Sequence, residues 1–192
     1  MLPLILASTS PFRAELLGKL GLPFQTSAPS TDETRHPGED PTALVRRLAE
    51  AKARAVGVAH PQALIIGSDQ VACIDDRVLG KPGDRQNAIA QLQAASGRMV
   101  TFHTGLCLFN SATGQKQVDE ESFTVEFRPL DSAQIARYVD RERPFNCAGS
   151  FKSEGFGITL FSRLHGRDPN TLIGLPMIRL VEMLAAEGIV LP

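Results

Sequence analysis

Tryptophan is absent from this chain, tyrosine occurs once, and cysteine occurs three times among 192 residues. With 20 Lys and Arg against 21 Asp and Glu, the net charge is -1, so there is neither a global basic field nor a set of stacking aromatics to hold a nucleic acid. Nucleic acid is therefore not an expected partner. No uninterrupted apolar run exceeds four residues, whereas a membrane-spanning helix needs about 20, so no membrane partner is expected either. Met1-Leu2-Pro3-Leu4 lacks a basic segment and the apolar stretch stops at Ala7, which predicts no export signal and a cytoplasmic protein. Cys73, Cys107 and Cys147 are odd in number, far apart and without a C-x-x-C pair. That pattern argues against a disulfide framework or structural zinc site and predicts buried free thiols. The histidines at 36, 60, 103 and 165 show no metal-ligand spacing and read as structural or surface residues.

What is present is an ordinary globular composition, with 43% apolar and 21% charged residues and a mean hydropathy of -0.05. At roughly 150 residues per domain, the length allows one domain or two joined lobes. No repeat or linker interrupts it, so residues 1–192 read as one unit. Leu4-Ile5-Leu6-Ala7 predicts a buried strand. Ser10 then caps, and Pro11 opens, a helix ending near Gly21. A second helix is expected from Asp40-Pro41 toward Val58, with Leu44, Leu48, Ala51 and Ala55 as its apolar stripe. Ala63 to Ile66 predicts another buried strand, closed by Gly67-Ser68-Asp69-Gln70 and continued by Val71 to Ile74, with a turn at Asp75-Asp76. A helix over about 87–95 precedes a long hairpin, 100–109 and back to about 127, turning at Asn110-Ser111-Ala112-Thr113-Gly114. Asp131-Ser132-Ala133-Gln134 has the form of a capping box before Ile135, Tyr138 and Val139, with Pro144 after the helix. The last helix, from near Pro176, is expected to turn Ile178, Val181, Leu184 and Ala185 inward. Strands interleaved with helices but including a hairpin imply a mixed sheet, so the fold class is α/β.

The first loop carries the best chemical lead. Hydroxyls and free N–H groups at a helix N-terminus form an anion site, phosphate being the natural occupant. Arg13 stands in the first helical turn, where a cation opposes the helix dipole, and Ser10, Pro11 and Phe12 offer it no acid. A bound anion, solvent or a distant carboxylate would each answer its charge. Lys52 steps on from 44 and 48 along one side of the second helix, without an acid one turn away; it either snorkels or reaches a ligand. Lys81, in Gly80-Lys81-Pro82-Gly83, sits on a loop and also reads as an ordinary surface lysine. A phosphate site built from Arg and Lys usually needs a hard divalent cation on oxygen ligands, and Glu33 and Asp69 are the candidates. Asp69, placed at the end of a buried strand, is the stronger, because ligands of open α/β sheets gather beyond strand carboxyl ends.

Taken together, Ala7-Ser8-Thr9-Ser10-Pro11-Phe12-Arg13, Asp32-Glu33, Lys52, Gly67-Ser68-Asp69-Gln70, Gly80-Lys81-Pro82 and Asn170-Thr171-Leu172-Ile173-Gly174-Leu175-Pro176 resemble the Maf family of nucleoside triphosphate pyrophosphatases. Six separated segments occur in order, nearly end to end, which makes the match specific. The resemblance implies an elongated mixed sheet flanked by helices, with two lobes around a central cleft, as in inosine triphosphatases. It also implies metal-dependent pyrophosphate release, with Mg²⁺ or Mn²⁺ as cofactor, a small-molecule nucleotide as substrate, and a homodimer. By the same resemblance, Asp69 accepts the proton of the attacking water and Ser8, Arg13, Lys52 and Lys81 hold the triphosphate. Glu33 and Asp69 then stand near the metal.

Three positions match base selectors of that family, and here they are Phe12, Gln70 and Glu154. The set resembles the 7-methyl-GTP pyrophosphatase subfamily. The segments Cys147-Ala148-Gly149-Ser150-Phe151-Lys152-Ser153-Glu154-Gly155-Phe156-Gly157 and Gly166-Arg167-Asp168-Pro169-Asn170-Thr171 match its longer signature. Methylation at N7 makes guanine cationic, so an aromatic face at Phe12 attracts it and a carboxylate at Glu154 accepts from its N1–H and N2–H₂ edge. Phe12 is a departure, since a larger aromatic or an arginine is expected there. The alternatives are the same chemistry on dTTP or UTP, and a non-catalytic nucleotide-binding regulator of septum formation.

Overall fold

The computed structural model describes residues 2–75 and 77–192. Asp76, half of the expected Asp75-Asp76 turn, lies outside the described residues; Asp75 adopts a left-handed conformation at φ +50°. The chain forms two compact units: 1–70, 104–121 and 168–192 make the first, and 71–103 with 122–167 make the second.

In the first unit β1 (Leu4–Ala7) is the pivot, pairing in parallel with β2 (Phe24–Thr26) on one side and with β3 (Leu64–Ile74) on the other. β5 (Met99–Asn110) follows β3 in the sheet, and β6 (Lys116–Phe127) returns beside β5. The expected hairpin turn forms at Asn110, whose N–H donates to Gln115 and whose carbonyl accepts from Gly114. Near-continuous apolar runs are what a sheet covered on both faces requires, and strand alternation sorts them. Leu4, Leu6, Leu64, Ile66, Leu106 and Leu108 join Leu16 and Leu17 of α1 (Pro11–Gly18), and Leu180 and Leu184 of α6 (Met177–Ala186). Ile5, Ala7, Ile65, Cys107 and Phe109 face Ala49, Ala53 and Val56 of α2 (Pro41–Gly57) instead.

Two glycines set the height of α2 above the sheet. A Cβ on Gly67 would come within 2.1 Å of the Ala49 carbonyl oxygen, and one on Gly105 within 2.0 Å of the Val45 carbonyl oxygen. The helix backbone therefore rests on bare strand backbone at both crossings. This corrects the reading of Gly67 to Gln70 as the close of a strand: β3 runs unbroken through them, and the glycine there admits a helix rather than a turn.

Helix boundaries follow their caps. Ser10 accepts from the Arg13 N–H at 3.4 Å, and Asp40 from the Ala43 N–H at 3.0 Å. α1 ends at Gly18, earlier than the expected Gly21, which instead takes a left-handed turn at φ +67°. On α2 the buried set is Leu44, Val45, Leu48, Ala49, Lys52, Ala53, Val56 and Gly57, while Ala51 and Ala55 are only half-buried. Of the four residues expected inward on α6, Leu184 is buried and Val181 half-buried, whereas Ile178 is 40% exposed and Ala185 is exposed; Met177, Leu180 and Met183 complete the buried face. Its sequence has more apolar residues than one face can bury, so apolarity alone did not distinguish the faces.

In the second unit the continuation of β3 pairs antiparallel with β4 (Arg77–Leu79), and β6 pairs antiparallel with β7 (Phe161–His165). α3 (Arg85–Ala95) starts at the Asp84 cap, and α4 (Ser132–Glu142) at Asp131, where the reciprocal capping box with Gln134 forms. Phe102, Phe127, Phe151 and Phe161 meet edge-to-face, with centroids 4.8 to 5.6 Å apart. None of the three cysteines forms a disulfide; Cys73 and Cys107 are buried and Cys147 half-buried. Desolvation pushes the Cys107 thiol up to about 12.

Candidate active site

The end of β1 creates the site. Its last paired position is Ala7 opposite Gly67, after which β1 stops and β3 continues. Asp69 thus stands on a strand that has lost its parallel neighbour, beyond the carboxyl end of β1 rather than of β3. Ser8 follows Ala7 directly. It is 6% exposed, and its Oγ accepts from the Ser10 N–H at 3.1 Å.

α2 brings the cation. Lys52 is 7% exposed, and its Nζ lies 2.6 Å from Asp69 Oδ1 and 2.8 Å from Glu33 Oε1. Neither carboxylate is a helical neighbour, so an acid search one turn away could not find them. The ammonium does not snorkel to water. Glu33 remains largely exposed and Asp69 is nearly buried, so one carboxylate faces solvent while the other is held within. The Glu33 loop is tied down beyond it: Arg47 donates through Nε and Nη2 to both oxygens of Glu39, at 2.6 and 2.8 Å, and through Nη2 to the Thr34 carbonyl at 3.1 Å. The guanidinium of Arg47 holds the Glu39 carboxyl down at about 2.

Arg13 meets a partner that sequence reading did not supply. Its Nε donates to the Gly174 carbonyl at 2.7 Å, and Ser68 Oγ donates to the same oxygen at 2.9 Å. Gly174 closes the four-residue helix α5 (Asn170–Ile173) at φ +116°. Burial draws the Arg13 pKa below its ordinary value, opposed by attraction from Asp69 and Glu33; the guanidinium stays charged. The Arg13 cation and the acid pair thus share one electrostatic neighbourhood.

Gln70 Nε2 donates to the Thr171 and Leu172 carbonyls at 2.7 and 3.3 Å and to Thr104 Oγ1 at 3.0 Å. Thr104 and Thr171 are both fully buried, so Gln70 clamps α5 to the sheet. Asp168, 1% exposed, accepts from the Asn170 N–H and Nδ2, and its other oxygen accepts from the Ile178 N–H at 2.9 Å. That carboxylate joins α5 to the first turn of α6, where negative charge is favourable. Ser68, Thr104, Asp168 and Gly174 are the supporting residues that motif reading left without roles. Ser68, Asp168 and Gly174 lie inside the quoted motif segments, and the signal of Thr104 was only a hydroxyl within an apolar strand.

Phe12 is half-buried on α1. Lys81 and Glu154 belong to the second unit, each on an exposed stretch. Glu154 Oε2 accepts from Ser153 Oγ at 3.3 Å, and the adjoining Lys152 is anchored by its N–H to Tyr138 Oη at 3.0 Å and by its Nζ to the Glu142 carbonyl at 2.9 Å.

Among the described residues, no group of three or more His, Cys, Asp or Glu is arranged to hold a metal. The pair Glu33 and Asp69 is nonetheless a fitting partial donor set for Mg²⁺ or Mn²⁺. Both offer hard oxygen, they converge on one positive charge, and Mg²⁺ is commonly bound by one or two carboxylates with substrate phosphates completing its shell.

An α/β sheet with a hydroxyl-lined helix entry, a buried lysine, a half-buried arginine and two convergent carboxylates at the end of a strand defines a phosphate-handling type of protein. The chain belongs to the Maf-like protein family, which matches residues 3–187. It is 64% identical over 189 residues to a 7-methyl-GTP pyrophosphatase of Alcanivorax borkumensis, covering 98% of this chain and 96% of that one. It is 57% identical to a protein of the same name from Vibrio vulnificus, covering 96% and 95%. A further 7-methyl-GTP pyrophosphatase, from Pseudomonas fluorescens, is 57% identical over the full length of both chains. Among solved structures, the Ham1 protein of Staphylococcus aureus shares the fold, with a TM-score of 0.54 at 13% identity, covering 96% of this chain and 99% of that one.

Proposed function

We propose that this chain is a nucleoside triphosphate pyrophosphatase, a hydrolase of phosphoric anhydride bonds, that converts 7-methyl-GTP to 7-methyl-GMP and pyrophosphate. The observation that carries the reading is the buried Lys52 ammonium shared by Glu33 and Asp69 at the end of β1. Identity of 56 to 64% with proteins named for this activity supports it. Residues 1–192 act as one pyrophosphatase domain, dimeric and cytoplasmic; no helix among the described residues is long and apolar enough to cross a membrane.

Phosphoryl transfer asks a protein mainly for positioning and charge neutralisation. Ser8 binds a phosphate oxygen at the positive end of the α1 dipole, and Arg13, Lys52 and Lys81 balance the triphosphate charge. Lys52 is near-buried, so water screens it little when a phosphate oxygen competes with the carboxylates for it. A divalent cation held by Glu33 and Asp69 supplies further charge neutralisation on the phosphate when bound. Asp69 orients the attacking water toward the α-phosphorus and accepts its proton. Phe12 stacks on the methylated base and Glu154 pairs with its N1–H and N2–H₂ edge, while Gln70 contributes to selection through the Thr171–Leu172 segment it holds.

The test is initial-rate pyrophosphate release from 7-methyl-GTP, GTP, dTTP, UTP, CTP and ATP with Mg²⁺ or Mn²⁺, compared by kcat/KM. The expected result is preference for 7-methyl-GTP, with pyrophosphate release from every substrate strongly reduced by Asp69→Asn. Preference for dTTP or UTP would keep the chemistry and overturn the base assignment. Nucleotide binding without turnover would overturn the enzyme reading in favour of a regulator.

A further inference from the structure

Lys81 is exposed in a four-residue stretch, Gly80-Lys81-Pro82-Gly83, that belongs to neither a helix nor a strand. Such a stretch is ordinarily mobile, yet its backbone is held at three points. The Gly80 carbonyl accepts from Gln91 Nε2 at 3.1 Å, the Pro82 carbonyl accepts from Asn87 Nδ2 at 3.1 Å, and the Gly83 N–H donates to the Phe145 carbonyl at 2.9 Å. The two peptide carbonyls that flank Lys81 in sequence are thus both gripped. The grips come from one face of α3, because residues four apart lie one turn above each other.

Each clamp is itself anchored. Asn87 Nδ2 also donates to the Asp84 cap at 2.9 Å, and Gln91 Oε1 accepts from Ser150 Oγ at 2.5 Å. Ser150 is fully buried, with a left-handed φ of +62°, in the turn that packs against α3. Gln91 therefore spends its acceptor on the core and its donor on the loop. A lysine on a four-carbon stem loses side-chain entropy when it binds phosphate; fixing its backbone beforehand removes a further entropic cost and sets its reach.

We propose that Gln91, seconded by Asn87, is the positioning residue for Lys81, and that it raises the affinity of the site for the triphosphate. This rests on the phosphate-binding role given to Lys81 above. Gln91 touches no substrate; it acts through the Gly80 carbonyl.

The chemistry of Gln91 allows its two bonds to be separated. Gln91→Glu keeps an oxygen to accept from Ser150 and loses the N–H that holds Gly80, whereas Gln91→Met, of similar length, loses both. Rates on 7-methyl-GTP are measured for each variant with Lys81 intact and in a Lys81→Ala background, alongside Tm. With Lys81 intact, both variants are expected to lower kcat/KM about tenfold, the scale of one lost hydrogen bond, mainly through KM. Gln91→Glu should do so with Tm near that of the parent. In the Lys81→Ala background neither variant should lower kcat/KM further. Equal losses in both backgrounds would mean a merely structural role and overturn the proposal, as would no loss with Lys81 intact. If Lys81→Ala itself leaves kcat/KM unchanged, the phosphate role of Lys81 fails and the inference falls with it; a wild type that releases no pyrophosphate overturns the activity itself.

Discussion

Lys52 Nζ of α2 lies 2.6 Å from Asp69 Oδ1 of β3, and the two side chains are only 8% and 11% exposed. A pair that close to full burial contributes little net stability, because desolvation offsets most of the attraction; removing one member is costly, since the other is left uncompensated.

Stability and turnover at this pair should therefore separate. Lys52→Met is expected to lower unfolding free energy by about 3 kcal/mol and to abolish pyrophosphate release. Lys52→Met with Asp69→Leu should recover most of the stability and none of the turnover. Urea melts and initial rates on the two proteins check this. Full stability in the single variant would show that the pair is not isolated from solvent.

The closeness of α2 to β3 is what permits the pairing, and Gly67 controls it. A methyl at Gly67 meets the Ala49 carbonyl oxygen and the Ala53 N–H, both backbone atoms, at 2.1 and 2.9 Å. Gly67→Ala should lift α2, cost about 2 kcal/mol or more and reduce kcat/KM by displacing Lys52. Gly105→Ala, which meets Val45 in the same way, should behave alike. By contrast, nothing stands within 4 Å of a Cβ at Gly18, so Gly18→Ala should keep full activity. Equal activity in all three would remove Gly67 from the account.

The loop carrying Glu33 should be acid-labile through Glu39. Its carboxyl is held at about 2 by Arg47, below the ordinary 4.5. A depressed folded-state value means that the ionised form binds more favourably in the native protein. The stabilisation is complete above about pH 4.5, falls as pH drops toward 2, and is gone below both values. The Tm difference between wild type and Glu39→Gln should be largest above pH 5 and shrink steadily across that window. A difference independent of pH from 6 to 2 would rule out the Arg47 pairing as its source.

Much of this architecture could be read from local chemistry. The Ser10 and Asp40 caps, the Asp131–Gln134 box and the turn at Asn110 all formed where their residue types predicted, because each depends on neighbours within a few positions. The α2–β3 crossing did not reveal itself. Gly67-Ser68-Asp69 has the composition of a turn, and only the helix resting on Gly67 explains why it is strand. β2 and β7 went unseen for a related reason: β2 is three residues long and β7 is mostly exposed, so neither carries an apolar period. At the site, Lys52 and Asp69 were each singled out from sequence, but their bond spans 17 positions and two elements. The Arg13 bond to Gly174 spans 161, a distance that no periodicity reaches.

Base selection gives the sharpest division among the proposed roles. Glu154 is exposed and bonded to Ser153, so replacing it with Gln changes charge and one acceptor with little effect on packing. A carboxylate accepting two hydrogen bonds from a cationic base gains from charge at both ends, and such bonds are worth about 1.5 to 3 kcal/mol. Glu154→Gln should thus lower kcat/KM for 7-methyl-GTP by roughly tenfold or more, and lower that for GTP, whose base is neutral, by less. Phe12→Leu keeps an apolar side chain and removes the aromatic face, so it too should narrow the ratio between the two substrates, by the smaller amount expected of a phenylalanine face. Asp69→Asn should instead depress both substrates alike, because it acts on the phosphate and not the base. Measuring the ratio of kcat/KM for 7-methyl-GTP and GTP in these three variants separates recognition from chemistry. A ratio unchanged by Glu154→Gln would remove that carboxylate from the base pocket and leave the catalytic assignment of Asp69 standing.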